Sequence, residues 1–234
     1  RRARLDRSDL DRFLFEPEDV VVVVGQDGLV ANVAKYLDGQ LVIGVDGAPG
    51  VNAGVLVRHD AETGGQLLQV AGEGKASGVE SRALVQATLS DGQVLRGLNE
   101  VFIGHRSHQS ARYLLDDGRS QEHQSSSGVL VATGTGSTGW ASSLHRGRAG
   151  AVALPSPDEA RLAWFVREAW SSPRTGCGLT DGQLLEGESL RLTSELESGG
   201  VVFADGIEAD HLRFDRGQTV TVCAASQRLN LMVA

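Results

Sequence analysis

The residues whose types and spacing suit chemistry fall in four short segments. Asp27 stands between Gly25 and Gly28, directly after the apolar run Val20–Val24. An acid there lies at the carboxyl end of a strand, where open α/β sheets place their ligands. Its glycines let the backbone turn sharply and approach a bound molecule closely. Asn99-Glu100 is a polar pair in the middle of the expected strand Val94–Ile103, and Thr133–Thr138 (TGTGST) presents hydroxyls and bare backbone after an apolar run. Asp205-Gly206 closes a further apolar run.

Each segment also has a plainer reading. Asp27 suits the cap of a following helix, and Ser137-Thr138 suits a capped helix start. Adjacent strand residues face opposite ways, so a regular strand aims only one of Asn99 and Glu100 at a site. Either a bulge lies there or one of the two is structural. Asp205-Gly206 reads as a β-turn.

Other chemistries find less support. His105 and His108 lack acid or Cys partners at metal-ligand spacing, so no metal site made of protein side chains is expected. Gly72-Glu73-Gly74-Lys75 does not complete a P-loop pattern. No GxSxG elbow supports Ser-His-Asp catalysis. Arg146 and Arg148 are read as surface arginines, with phosphate contact as the alternative.

The 234 residues suffice for one large domain or two small ones. No run approaches the roughly 18–20 apolar residues that span a bilayer. The first residues, RRARLDRSDLDRF, mix arginines with acids and lack an apolar stretch, unlike a signal peptide. A net charge of −8 argues against a broad nucleic-acid surface. Cys177 and Cys223 are too few for a disulfide framework, which points to a reducing, cytoplasmic setting. The 30 glycines, many in pairs such as Asp91-Gly92 and Asp117-Gly118, predict many tight turns and short strands.

The elements that must position these residues are legible in outline. Val20–Val24 has the composition of a buried parallel strand. Leu29–Leu37 has apolar residues at helical spacing with a stop at Asp38-Gly39, and Leu41–Val45 is a second buried strand. Residues 17–45 therefore form a strand–helix–strand unit. The loop 46–54 follows the second strand, so two Gly-rich loops share one sheet edge, as a nucleotide crevice requires. From about residue 78 hairpin signals take over, around Ser90–Gln93 and Asp116–Gly118. Further short strands are predicted near 161–168, 188–194, 200–204, 210–214, 218–223 and 228–233. The pattern is α/β followed by a mainly antiparallel β-sandwich, divided as residues 1–65 and 66–234.

The segments GQDG (25–28), NE (99–100), TGTGST (133–138) and ADG (204–206), in this order, resemble those of the NAD kinases. These kinases share a fold with the diacylglycerol and sphingosine kinases. LNEVFIG (98–104), SSGVLVATGTGSTGW (126–140), FVREAW (165–170) and IGVDGAPG (43–50) are similar to the divergent branch that includes the mitochondrial-type enzymes. The likeness runs from Phe13 onward.

It implies transfer of the γ-phosphoryl of ATP, with Mg²⁺ or another divalent cation, to the 2′-hydroxyl of the adenosine ribose of NAD. Asp27 is then the proton acceptor, and Gly25, Gln26 and Gly28 the phosphate-binding turn. Asn99 and Glu100 hold the ribose, while Thr133, Thr135, Gly136, Ser137 and Thr138 line NAD. Trp140 falls where many members carry Tyr and either stacks on a base or packs in the core. Asp205 belongs near the substrate site and the subunit interface of a homodimer or homotetramer. The residues 66–234 become an NAD-binding and oligomerisation domain.

Departures from the commoner pattern are Gln26 for Gly, Leu29 for Thr and Ser127 for Asp. Only 19 residues precede Val20, where the family has one or two further βα units. The Rossmann-like part is therefore incomplete, either by loss of those units or because the chain is a fragment. Alternatives are a related kinase with another acceptor, such as a lipid or polyol, and a non-catalytic NAD- or ATP-binding protein.

Overall fold

A computed structural model describes residues 3–51, 54–148, 150 and 152–233. The chain forms two compact units. One runs through Arg82 and takes back the C-terminal segment from Gln227, and the other is Ala83–Ser226.

A 3₁₀ turn at Arg7–Arg12 opens the first unit. Strand β1 (Val20–Gly25), helix α1 (Asp27–Ala34) and strand β2 (Leu41–Asp46) follow. The two strands pair in parallel, from Val20 opposite Leu41 to Gly25 opposite Asp46. The strand–helix–strand reading is therefore correct, with two amendments. Helix α1 starts at Asp27 rather than Leu29, because Asp27 and Gly28 already form its first turn. Strand β1 is also less buried than its composition suggests: Val23 is in the core, whereas Val22 and Val24 are 38% and 60% exposed. Val22 and Val24 lie on the face of β1 opposite Val23, and among the described strands β1 pairs only with β2. The loop 46–54 is seen except at positions 52 and 53, which lie outside the described residues.

Helix α2 (Ala61–Gly72) adds to the elements expected from the sequence. Its cap is regular, the Asp60 carboxylate accepting the Thr63 N–H at 2.8 Å. Its glycines lower helix propensity and hide it in the sequence. Gly64 is explained by packing, since a Cβ there would lie 2.6 Å from a Val45 methyl. Ile43, Val45, Leu67, Ala71 and Met232 form the core of this unit.

The second unit is antiparallel. In chain order its strands are β3 (Val79–Leu89, entering from the first unit), β4 (Val94–Gly97), β5 (Glu100–His105), β6 (Ala111–Asp116), β7 (Gln121–Ser126) and β8 (Val129–Ala132). Helix α3 (Trp140–Arg146) precedes β9 (Leu162–Val166), β10 (Asp181–Leu184), β11 (Leu190–Ser194), β12 (Gly200–Ala204), β13 (Leu212–Arg213) and β14 (Thr219–Met232). One layer has the order β10-β9-β8-β5-β12-β13. The facing layer contains β14-β11-β6-β7 and the β3–β4 hairpin. Between them lie Val101, Ile103, Val131, Trp164 and Val202 from one sheet and Tyr113, Leu115, Leu192 and Val220 from the other. On the outer face of the first sheet Phe102, Leu130, Phe165 and Phe203 pack under Ala141 of α3. That layer is thus covered on both sides, which is why β8 and β9 lack polar alternation.

The architecture is therefore an α/β unit plus an antiparallel β-sandwich. Two strand expectations need correction. The stretches 218–223 and 228–233 form the single strand β14, for no Gly or Pro interrupts them. The stretch Val94–Ile103 is two strands, broken at Leu98-Asn99.

Candidate functional site

In the first unit, Gly25 ends β1 at φ +155°, a backbone conformation that favours glycine. Gln26 is exposed and extended and makes no side-chain cap bond to α1. Nor does the Asp27 carboxylate cap the helix. It reaches the loop after β2 instead, accepting the N–H of Val55 on Oδ2 at 2.9 Å. Its Oδ1 accepts those of Leu56 at 2.9 Å and Val57 at 3.0 Å.

Gly44 makes this approach possible, because a Cβ there would sit 2.0 Å from the Leu56 carbonyl oxygen. A carboxylate has about four lone-pair sites. The loop uses three, and Oδ2 retains one. Gly28 differs from Gly25: it is exposed, and nothing lies within 4 Å of where its Cβ would be.

In the second unit, Asn99 and Glu100 lie at the junction of β4 and β5 rather than in mid-strand. Asp205, in the left-handed region at φ +52°, organises this junction. Its Oδ2 accepts the Leu98 N–H at 2.9 Å, and its Oδ1 those of Asn99 at 2.6 Å and Glu100 at 3.3 Å. Its own N–H returns to the Glu100 carbonyl at 3.0 Å. The Glu100 side chain is buried, and burial first and the Asp205 charge second push its carboxyl up to about 7.

The TGTGST turn packs against the same junction. Thr133 is fully buried, and its hydroxyl donates to the Leu98 carbonyl at 2.5 Å and receives the Thr135 N–H at 3.1 Å. A Cβ on Gly136 would lie 2.2 Å from the Asn99 carbonyl oxygen. Thr133, Thr135 and Gly136 are therefore structural members of the turn, all buried. Ser137 is half-buried and Thr138 exposed, so their side chains are more accessible. Ser137 Oγ donates to the Thr133 and Pro155 carbonyls at 3.1 and 3.3 Å.

Trp140 begins α3 and stacks on Phe102, with ring centroids 5.5 Å apart and planes at 15°. The Arg167 guanidinium lies 5.0 Å from its ring centroid. Arg148, contrary to the surface expectation, is half-buried and donates to the Thr180 and Val166 carbonyls. Arg146 is exposed. Among the described residues no group of three or more His, Cys, Asp or Glu side chains is placed to hold a metal ion. Among them, too, no helix is long and apolar enough to cross a membrane.

The crystal structure of yeast NADH kinase complexed with NADH matches this architecture with a TM-score of 0.69. The match covers 92% of this chain and 62% of the yeast chain, at 18% sequence identity. The chain has an NAD kinase-like fold. No family model and no curated protein sequence matches it. The chain spans less than two thirds of the length of that kinase.

Two of the arrangements around the candidate residues have little or no sequence signature. The donors of Val55–Val57 are backbone groups, which leave no side-chain signature. Gly44 did leave one: a glycine inside the apolar strand LVIGV marks close approach of another backbone. The clamp by Asp205 was likewise hidden, since its partners are N–H groups 105–107 positions away.

Proposed function

We propose that this protein is an NAD(H) kinase, transferring the γ-phosphoryl of ATP to the 2′-hydroxyl of the adenosine ribose. The observation that carries the reading is the coincidence of the fold with motif residues at its turns: GQDG at the end of β1, NE at the β4–β5 junction and TGTGST after β8. Asp27 is the proton acceptor, acting through the lone pair that the loop leaves on Oδ2. A carboxylate held by three N–H groups is fixed in direction, which is what a general base requires.

Gly25, Gln26 and Gly28 are the phosphate-binding turn, with the exposed amide of Gln26 as an added donor. Asn99 and Glu100 bind a ribose, and Ser137 and Thr138 supply accessible hydroxyls for NAD. The buried Thr133, Thr135 and Gly136 shape that surface, and Trp140 supports it through Phe102. Divalent magnesium would come with ATP, held by phosphate oxygens, waters and one or two carboxylates. The chemistry it would supply is neutralisation of phosphate charge.

Two free cysteines suit a reducing compartment, which supports a cytoplasmic location. A homodimer or homotetramer is the assembly we expect.

The test is NADP(H) formation from NAD or NADH with ATP and Mg²⁺, with Asp27→Asn as comparison. Product from the wild type, lost in the variant, supports the reading. Tight NAD binding without product favours a non-catalytic binder, and phosphorylation of another alcohol but not NAD(H) favours a different acceptor.

A further inference from the structure

We propose that Asp205 is a positioning residue for ribose recognition, building the Leu98–Glu100 turn and through it aiming Asn99 and Glu100 at the ligand. The proposal rests on the NAD(H) kinase reading. It gives Asp205 a role exerted through protein backbone rather than by contact with NAD.

The geometry is specific. Three consecutive N–H groups converge on one carboxylate, at 2.9, 2.6 and 3.3 Å. Consecutive N–H groups with a common direction form a concavity suited to an anion. The Asp205 N–H closes the ring by donating back to Glu100. Asp205 holds a left-handed backbone conformation, which costs on the order of 1 kcal/mol for a non-glycine residue. Gly97 leaves room for the clamp, because a Cβ there would lie 2.7 Å from the Glu100 carbonyl oxygen and 3.3 Å from Asp205 Oδ1.

Asn is a poor substitute at this position. A carboxylate accepts on both arms, whereas an amide turns an NH₂ donor toward one of the N–H groups.

A second link connects Asp205 to Glu100. Strands β8 (VLVA) and β12 (GVVFA), which flank β5, carry no titratable side chain. On β4, Arg96 donates to Gln86 at 3.0 Å. The charge acting on Glu100 is that of Asp205, and it raises the Glu100 carboxyl beyond what burial does. Removing Asp205 therefore loosens the turn and also lowers the proton affinity of Glu100.

The experiment pairs Asp205→Asn with Asp205→Glu and reads both kinetics and the carboxyl titration of Glu100 by ¹³C NMR. For Asp205→Asn we expect KM for NAD to rise about tenfold, the scale of one lost hydrogen bond to a charged group, with kcat within about twofold. The Glu100 midpoint should fall from its wild-type value near neutrality. Asp205→Glu retains the charge but misplaces it, so KM should rise while the midpoint stays high. It also serves if the Asn variant does not fold. An unchanged KM in a folded variant, or an unmoved midpoint in Asp205→Asn, overturns the proposal. A wild-type chain that neither phosphorylates nor binds NAD(H) instead overturns the kinase reading. The titration still shows then whether Asp205 acts on Glu100.

Discussion

Asp27 Oδ2 accepts the backbone N–H of Val55 at 2.9 Å, joining the end of β1 to a loop 28 positions later. This bond gives Asp27 a structural role. With Leu56 and Val57 on the other oxygen, it fixes both the loop and the carboxylate. In the proposed mechanism the fixed carboxylate is the proton acceptor. Substitution at Asp27 therefore touches two functions at once.

Asp27→Asn separates them if loop and activity are measured together. With the amide oxygen in the Oδ1 position, Leu56 and Val57 keep their acceptor while the NH₂ group faces the Val55 N–H. We expect a loss of about 2 kcal/mol in stability, the scale of one unsatisfied group near a surface. Faster hydrogen exchange at Val55 should accompany it, along with loss of NADP formation. Lost activity with unchanged exchange at Val55–Val57 would point to chemistry alone. Retained activity would remove Asp27 from the proton-acceptor role.

Gly44→Ala perturbs the same clamp and leaves Asp27 intact. The added Cβ would lie 2.0 Å from the Leu56 carbonyl oxygen and 2.9 Å from its carbonyl carbon. Both are backbone atoms, so no rotamer change relieves the contact and the loop must move. The expected cost is about 3 kcal/mol, at the upper end for overpacking. Kinase activity should fall with it if the clamp aims the carboxylate. Thermal melts and the NADP assay check both. A variant as stable and active as wild type would show that the loop relaxes without consequence for Asp27.

Much of this was legible in the sequence because it depends on local pattern. The valine run, the helix after it and LVIGV specified a parallel strand–helix–strand unit, and turn glycines specified the hairpins. What stayed hidden depends on distant partners. Val22 and Val24 share the face of β1 opposite buried Val23, and composition does not record which face is covered. Helix α2 was masked by Gly64, a residue chosen for contact with Val45 rather than for propensity. Residue types singled out Asp27, Glu100 and Asp205 as candidates, but the hydrogen bonds of Asp27 and Asp205 run to backbone N–H groups. Thr133 and Thr135, expected to line NAD, are both buried in the TGTGST turn, which residue type alone does not reveal.

Glu100 gives the last prediction, a stability slope with a defined sign. Its carboxyl is raised from an ordinary 4.5 to about 7 by burial and by Asp205. Between those values the folded chain holds a proton that the unfolded chain has released, so stability falls as pH rises through the window. The contribution is fully present below about 4.5 and lost above 7, and it amounts to about 3 kcal/mol. Carboxylates with lowered values, such as Glu80 and Glu122, act in the opposite sense at more acid pH. The informative quantity is therefore the difference between wild type and Glu100→Gln, in which their effects cancel. Denaturant unfolding at pH 5 and pH 8 should show the Gln variant gaining on wild type at the higher pH by up to that amount. Parallel curves for the two proteins would mean that Glu100 ionises normally in the folded chain. It would then meet a ribose hydroxyl as an ordinary charged acceptor.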